Sequence, residues 1–165
     1  MAETMVRMGE LAFSACAGDV LVSLGLGSCI GLALLDRRAA VAGLAHVVLP
    51  AADGRADSPG RFADTAAPVL LDALLGLGAR RTRVEAVLVG GASMFSFGGN
   101  GLEVGQRNDA AVREALARLR IPIVAAETGG SRGRTVRVTV ETGRVTARAA
   151  GDTEVELYPL LAVAA

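Results

Sequence analysis

The sequence predicts an α+β fold: a single layered domain whose mostly antiparallel sheet carries two helices on one side. Three observations predict it. Segments with strand patterns outnumber helical ones, most neighbouring strand candidates are joined by short hairpin-like turns, and only two segments carry apolar residues at helical spacing. The chain has 165 residues, 52% of them hydrophobic and 21% charged, so it can bury a core, and residues 1–165 are expected to form one domain.

The first part of the chain is expected to be mainly strands. Residues 6–14 indicate a short strand, a turn and another extended piece, and residues 20–23 indicate a strand that enters a glycine-rich turn. Two apolar runs follow, over residues 30–35 and 40–45, separated by a polar turn. This pattern predicts a β-hairpin.

A surface loop and a helix come next. Residues 51–62 contain Asp-Gly and Ser-Pro-Gly sequences that are typical of turns. Because this loop follows the strand that carries His46, it is expected either to form a rim of any site there or to be a plain connector. Asp64 or Thr65 is expected to cap a helix whose apolar stripe ends near Leu77.

A buried strand over residues 84–89 leads into residues 90–101, the most glycine-rich stretch. A phosphate-binding loop is disfavoured, because the chain has no lysine to complete a P-loop and the glycines lack dinucleotide-binding spacing. Three apolar residues of the stretch, Met94, Phe95 and Phe97, suit a loop that contacts another protein. The alternative is that Phe95 packs into the core.

The last third predicts a second helix and more strands. Asn108 or Asp109 is expected to cap the helix. The loop over residues 128–134 holds two arginines, and either gathers an anion or is a solvated turn. The remaining strands are expected over residues 121–125, 135–141, 144–149 and 155–158.

The candidate site is a thiol and an imidazole. Cys29 follows the glycine-rich turn, and His46, the only histidine, lies on the second hairpin strand. If the hairpin turn centres on Arg37 and Arg38, paired residues have numbers that sum to 75, which places Cys29 directly opposite His46. Such a pair can share a proton, which is the minimum for thiol nucleophilic catalysis. Taken singly, each residue is also typical of a protein core.

Five blocks of the sequence carry a resemblance to a known family. They are Ser-Leu-Gly-Leu-Gly-Ser-Cys-Ile at 23–30, Gly-Leu-Ala-His-Val-Val-Leu-Pro at 43–50, Gly-Gly-Ala-Ser-Met-Phe at 90–95, Arg107-Asn108, and Glu-Thr-Gly-Gly-Ser-Arg-Gly-Arg at 127–134. These blocks resemble those of the CheD family, the bacterial and archaeal chemoreceptor glutamine deamidases. They occur in the family's order and span about residues 5–158.

The resemblance implies a sandwich similar to the cysteine deamidase domains of certain bacterial toxins. It also implies amide hydrolysis through a thioester, with Cys29 as the nucleophile and His46 as acid and base. An ion pair with the imidazolium would leave the thiol ionised at neutral pH. Ser23, where the family more often has threonine, is expected to orient the imidazole. The backbone N–H groups of Gly27 and Ser28 are candidates for stabilising the oxyanion.

The implied substrate is a specific glutamine on the cytoplasmic helical domain of chemoreceptors, which becomes glutamate. A CheC-type chemotaxis phosphatase is a candidate partner. No cofactor or metal is expected.

Composition excludes several other classes. Seventeen basic residues balance seventeen acidic ones, and aromatic residues make up 3%, which disfavours nucleic-acid binding. No apolar run is long enough to span a membrane and no signal-peptide pattern opens the chain, so no membrane insertion and a cytoplasmic location are expected. Cys16 is expected to be a bystander, since two cysteines form no disulfide framework in a chain of this size.

Two alternatives to the enzyme stay open. The chain could be a non-catalytic chemotaxis regulator that binds and modulates a CheC-type phosphatase, with Cys29 and His46 as relicts. A weaker alternative makes these two residues metal ligands, although a zinc site needs three or four.

Overall fold

The computed structural model describes residues 2–55, 57–93 and 103–159. Ten strands and two α-helices in these ranges form three layers: two facing five-stranded sheets, and a helical layer on the outer side of one of them. The predicted α+β layered fold with mostly antiparallel sheets is confirmed. Met94, Phe95 and Phe97 lie outside the described residues.

In the first sheet the two strands at one edge pair in parallel, and all the other strand pairs are antiparallel. In spatial order its strands are β1 (Ala2–Met5), β3 (Asp19–Leu26), β8 (Arg134–Thr139), β9 (Arg144–Ala149) and β10 (Val155–Tyr158).

The second sheet carries the predicted hairpin at its centre, and only its last two strands run parallel. In spatial order its strands are β2 (Leu11–Ser14), β5 (Val41–Val47), β4 (Ile30–Asp36), β6 (Glu85–Gly90) and β7 (Ile123–Thr128). The chain therefore crosses from the first sheet to the second between β3 and β4, at residues 27–29.

The two helices are α1 (Ala63–Gly76) and α2 (Val104–Leu119), and neither is long and apolar enough to cross a membrane. Both predicted caps were wrong. The side chain of Asp64 accepts a hydrogen bond from the Ala52 N–H at 3.0 Å, from within the first turn of α1. Helix α2 begins a turn earlier than predicted, because Gln106 accepts from the Glu103 N–H at 3.3 Å and so caps its start. Asn108 is consequently an internal residue of α2.

The second sheet separates two cores because its side chains alternate between two faces. In β4, Leu32 and Leu34 face the helices, whereas Ala33 and Leu35 face the first sheet. The same alternation in β5 directs His46 into the space between the sheets. The candidate site therefore lies between the two sheets, at the end of the sandwich where β3 passes into β4.

Candidate active site

The hairpin register differs from the predicted one. Gly31, and not Cys29, pairs with His46, so paired residue numbers sum to 77 and not 75. The connection is a four-residue turn over residues 37–40, in which the Asp36 carboxylate accepts from the Arg38 and Ala39 N–H groups at 3.2 Å each. A shift of two leaves every side chain on its original face.

Cys29 and His46 therefore still face the same space between the sheets, as diagonal neighbours and not opposed residues. Diagonal positions on adjacent antiparallel strands lie about 7–8 Å apart. Both side chains are nearly inaccessible, Cys29 being 8% exposed and His46 3%. No hydrogen bond joins them in the described structure.

The tautomer of His46 follows from its neighbour. Its Nδ1 lies 3.0 Å from the backbone oxygen of Val6. A carbonyl oxygen can only accept, so Nδ1 carries the proton, and the neutral ring presents the lone pair of Nε2. This Nε2 is buried and has no hydrogen-bond partner among the described residues. The ring is thus held with its basic nitrogen unused.

Ser23 meets the imidazole through a shared acceptor. Its hydroxyl donates to the same Val6 oxygen at 2.8 Å. The hydroxyl thus contacts the carbonyl that is bonded to the ring and not the ring itself. The role of Val6 could not be predicted from the sequence, because Val6 acts through its main-chain oxygen, which every residue has.

Val6 belongs to a strap, residues 6–10, that crosses the end of β5. The strap is held by main-chain hydrogen bonds: Val6 N–H to Val22 O at 2.7 Å, Gly9 N–H to His46 O at 3.0 Å, and His46 N–H to Glu10 O at 2.9 Å. The loop predicted over residues 51–62 packs behind it, since a Cβ at Gly60 would lie 2.9 Å from the Glu10 carbonyl. This loop therefore supports the strap.

The turn that carries Cys29 is anchored by its carbonyl oxygens. Each of its three carbonyls accepts one hydrogen bond: Gly27 from Ala92 N–H at 2.8 Å, Ser28 from the Asn108 side chain at 3.0 Å, and Cys29 from Gly91 N–H at 2.8 Å.

The anchoring fixes the direction of two N–H groups. In a trans peptide the N–H points opposite to the preceding C=O, and the described chain has no cis peptide bond. The N–H groups of Ser28 and Cys29 therefore point away from the anchors. Among the described residues, neither N–H group is the donor of a main-chain hydrogen bond outside the regular strands and helices. The N–H of Gly27 is not directed in this way, and it is Gly25 that adopts a positive φ, of 61°.

Gly90 lies directly behind Cys29. It has φ +116°, and a Cβ there would lie 2.2 Å from the Cys29 carbonyl oxygen. The Gly90 carbonyl accepts from Arg134 at 3.2 Å, and Arg132 pairs with Asp152 at 2.8 Å. Both arginines of the 128–134 loop are thus engaged within the protein, which favours the solvated turn over the anion site.

A cleft of about 430 Å³ opens onto the imidazole. Its walls include two exposed apolar side chains, Met8 (66% exposed) and Leu24 (54%). Leu24 lies where the pairing of β3 with β8 shifts register, beside Gly25. The lining residues are Met5, Val6, Arg7, Met8, Leu24 and His46.

The family model for CheD chemotactic sensory transduction matches residues 48–149, more than half of the chain. The chain belongs to the CheD family. Relatives cover more of it. A Thermotoga maritima protein named chemoreceptor glutamine deamidase CheD is 41% identical over 150 residues, which are 91% of this chain and 94% of that protein.

Two further relatives carry the name probable chemoreceptor glutamine deamidase CheD. The Symbiobacterium thermophilum protein is 44% identical over 157 residues, 92% of this chain and 95% of the relative. The Clostridium botulinum protein is 40% identical over 137 residues, 81% and 85% of the two chains.

Burial favours the neutral form of both members of the pair. It raises the pKa of the Cys29 thiol above its ordinary value. Burial also lowers the pKa of His46, and the hydrogen bond to Val6 and the charge of Glu10 offset this only in part. In this CheD family member both shifts favour a thiol beside a neutral imidazole over the thiolate–imidazolium pair that the resemblance implies.

The described residues contain no group of three or more histidine, cysteine or acidic side chains that could hold a metal ion. Cys16 is an exposed free cysteine that follows β2, whereas Cys29 is buried. The backbone N–H of Cys16 donates to the Ser14 hydroxyl at 2.9 Å.

The neutral pair predicts how Cys29 reacts with iodoacetamide as pH changes. In a Cys16→Ser background the alkylation rate should rise about tenfold per pH unit through neutrality and still be rising near pH 9, because a raised pKa moves thiolate formation to higher pH. Labelling is followed by mass spectrometry, and a Cys16→Ser/Cys29→Ser double variant shows the background. A rate that is flat from about pH 5 to 8 would indicate a preformed ion pair and contradict the neutral site.

Substitution of Gly90 should reveal how closely the chain packs behind Cys29. Gly90→Ala must displace the Cys29 carbonyl as well as strain φ, so it should lower the free energy of unfolding by about 1–3 kcal/mol more than a control with φ strain alone. Gly78→Ala is that control, with φ +102° and nothing within 4 Å of the added Cβ. Urea denaturation measures the free energy of unfolding of both variants. Equal decreases would show that the contact with the Cys29 carbonyl does not contribute to stability.

Proposed function

We propose that the protein is a chemoreceptor glutamine deamidase, which hydrolyses the carboxamide of specific chemoreceptor glutamines to glutamate and ammonia. Membership of the CheD family and the names of its relatives support the reaction and the substrate. The observation that carries the assignment of Cys29 and His46 is the unused Nε2 of His46, on the same face of the sheet as the thiol.

The first step is attack by the Cys29 sulfur on the carboxamide carbon. The thiol proton passes to Nε2 of His46 as the S–C bond forms, so that no thiolate is needed in the resting enzyme. Negative charge develops on the amide oxygen, which accepts hydrogen bonds from the N–H groups of Ser28 and Cys29. Gly27 contributes through its carbonyl, whose hydrogen bond from Ala92 directs the Ser28 N–H toward this oxygen. The Nδ1–H bond to Val6 stabilises the imidazolium.

The second step releases ammonia. The proton on Nε2 passes to the amide nitrogen, the C–N bond breaks, and a thioester joins Cys29 to the substrate. Water then attacks the thioester carbon while Nε2 takes one of its protons. The C–S bond breaks, that proton returns to sulfur, and the substrate leaves as glutamate. Ser23 contributes by holding the Val6 carbonyl that orients His46.

A protein substrate suits the cleft. Its apolar rim at Met8 and Leu24 can contact a polypeptide surface while a glutamine side chain extends toward His46. We assign the cytoplasmic helical domain of a chemoreceptor to this surface, and place the reaction in the cytoplasm. On the sequence pattern, Met94, Phe95 and Phe97 belong to a second contact segment for the receptor or for a CheC-type phosphatase.

The reaction can be tested by incubating the protein with chemoreceptor cytoplasmic fragments and measuring a mass gain of about 1 Da per site together with ammonia release. Cys29→Ala and His46→Asn should each reduce the rate by at least about 1,000-fold, since they remove the nucleophile and the base. Cys16→Ser is the matched control and should retain the full rate. Unchanged turnover in Cys29→Ala would refute the nucleophile, and a wild-type protein without turnover would favour the non-catalytic regulator.

A further inference from the structure

Asn108, in the second turn of α2, is a buried polar residue outside the Cys–His pair. It is fully buried, on the helix face that packs against the second sheet. Its side-chain amide lies 3.0 Å from the Ser28 carbonyl oxygen and 2.9 Å from that of Val48. Burying an amide is costly unless it forms hydrogen bonds, and an apolar residue would serve the core at this position.

The two contacts identify the atom. Both partners are carbonyl oxygens, which only accept, so the atom between them is the NH₂ group and both of its hydrogens are used. The Oδ1 atom is buried and has no partner among residues 2–55, 57–93 and 103–159. The geometry thus engages Asn108 as a double donor.

The two carbonyls that Asn108 contacts lie just beyond the end of the β4–β5 ladder. The ladder between β4 and β5 has Ile30–Val47 as its last pair. Continuing this register would place Cys29 opposite Val48, but no further pair forms. Asn108 bridges the strands at that point, one residue before Cys29 and two residues after His46. A side-chain amide from α2 therefore joins the two chain segments where the main-chain ladder ends.

We propose that Asn108 is a positioning residue, which sets the separation of Cys29 from His46 and aims the Cys29 N–H at the oxyanion. It holds the Ser28 carbonyl on the helix side, and the trans peptide then points the Cys29 N–H the opposite way. It also ties this turn to the strand end of His46. This inference rests on the proposed deamidation, in which a displacement of about 1 Å costs about 100-fold in rate.

The decisive variants alter the amide with little change of volume. Asn108→Leu removes both donors, and Asn108→Asp sets an oxygen against two carbonyl oxygens. Each should lower kcat for receptor deamidation by about 100-fold and leave KM within about threefold, because the substrate cleft is untouched. Asn108→Ser keeps one donor and should fall between these variants and the wild type.

The matched control is Val112→Ala, one turn further along the same buried face of α2. It removes core packing and lowers stability, but should leave kcat within about threefold because it touches neither carbonyl. Thermal unfolding measures the stability of every variant. If Asn108→Leu does not fold, Asn108→Ser still decides: wild-type kcat in Asn108→Ser, or equal loss in Val112→Ala, overturns the inference.

A second readout is independent of deamidation. In the Cys16→Ser background, loosening the turn should expose Cys29, so Asn108→Ser or Asn108→Leu should speed alkylation by iodoacetamide at least about threefold while kcat falls. Val112→Ala should leave the alkylation rate within about twofold. If the wild type fails to deamidate receptors but this contrast appears, the proposed function is wrong and the positioning role stands. If alkylation is unchanged by substitution of Asn108, the positioning role is wrong.

Discussion

The carbonyl oxygen of Val6 is the acceptor on which the site depends. It accepts from the Ser23 hydroxyl on the first sheet and from Nδ1 of His46 on the second, so both of its lone pairs are used and the two sheets are tied at one atom. The pair of bonds selects the tautomer of His46 and leaves Nε2 as its basic nitrogen. Because Nε2 is buried, the orientation of the ring is decided by this bond and by packing.

The proposed nucleophile, Cys29, and the proposed base, His46, are held by different parts of the chain. The N–H groups of Gly91 and Ala92 and the side chain of Asn108 hold the carbonyl oxygens of the Cys29 turn. The strap over residues 6–10 holds His46. The N–H groups of Ser28 and Cys29 and the Nε2 atom of His46, which the proposed mechanism uses, are not engaged by these hydrogen bonds. Since burial raises the pKa of Cys29 and lowers that of His46, the proposed mechanism transfers the thiol proton during attack on the substrate.

Much of this arrangement could be predicted from sequence, and the exceptions have physical causes. Two apolar runs separated by a polar turn correctly predicted the central hairpin, which places Cys29 and His46 on one face. The exact pairing was wrong because Asp36 is the last residue of β4 and its carboxylate accepts from the N–H groups of a turn that lies one residue later than predicted. The resulting change of two in the sum of paired residue numbers keeps every side chain on its face. Asn108 has the side chain of a helix cap, and only tertiary packing shows that it serves the active-site turn. Val6 could not be predicted, since any residue supplies a carbonyl.

Nitrogen NMR of the imidazole tests the central claim most directly, because His46 is the only histidine and its two ring nitrogens give unambiguous signals. In protein labelled with ¹⁵N-histidine at neutral pH, we expect Nδ1 to appear as a protonated nitrogen and Nε2 as an unprotonated one, with a titration midpoint below the ordinary 6.5. A ring protonated on Nε2, or charged at neutral pH, would mean that the Val6 carbonyl does not set the base, and would contradict the account.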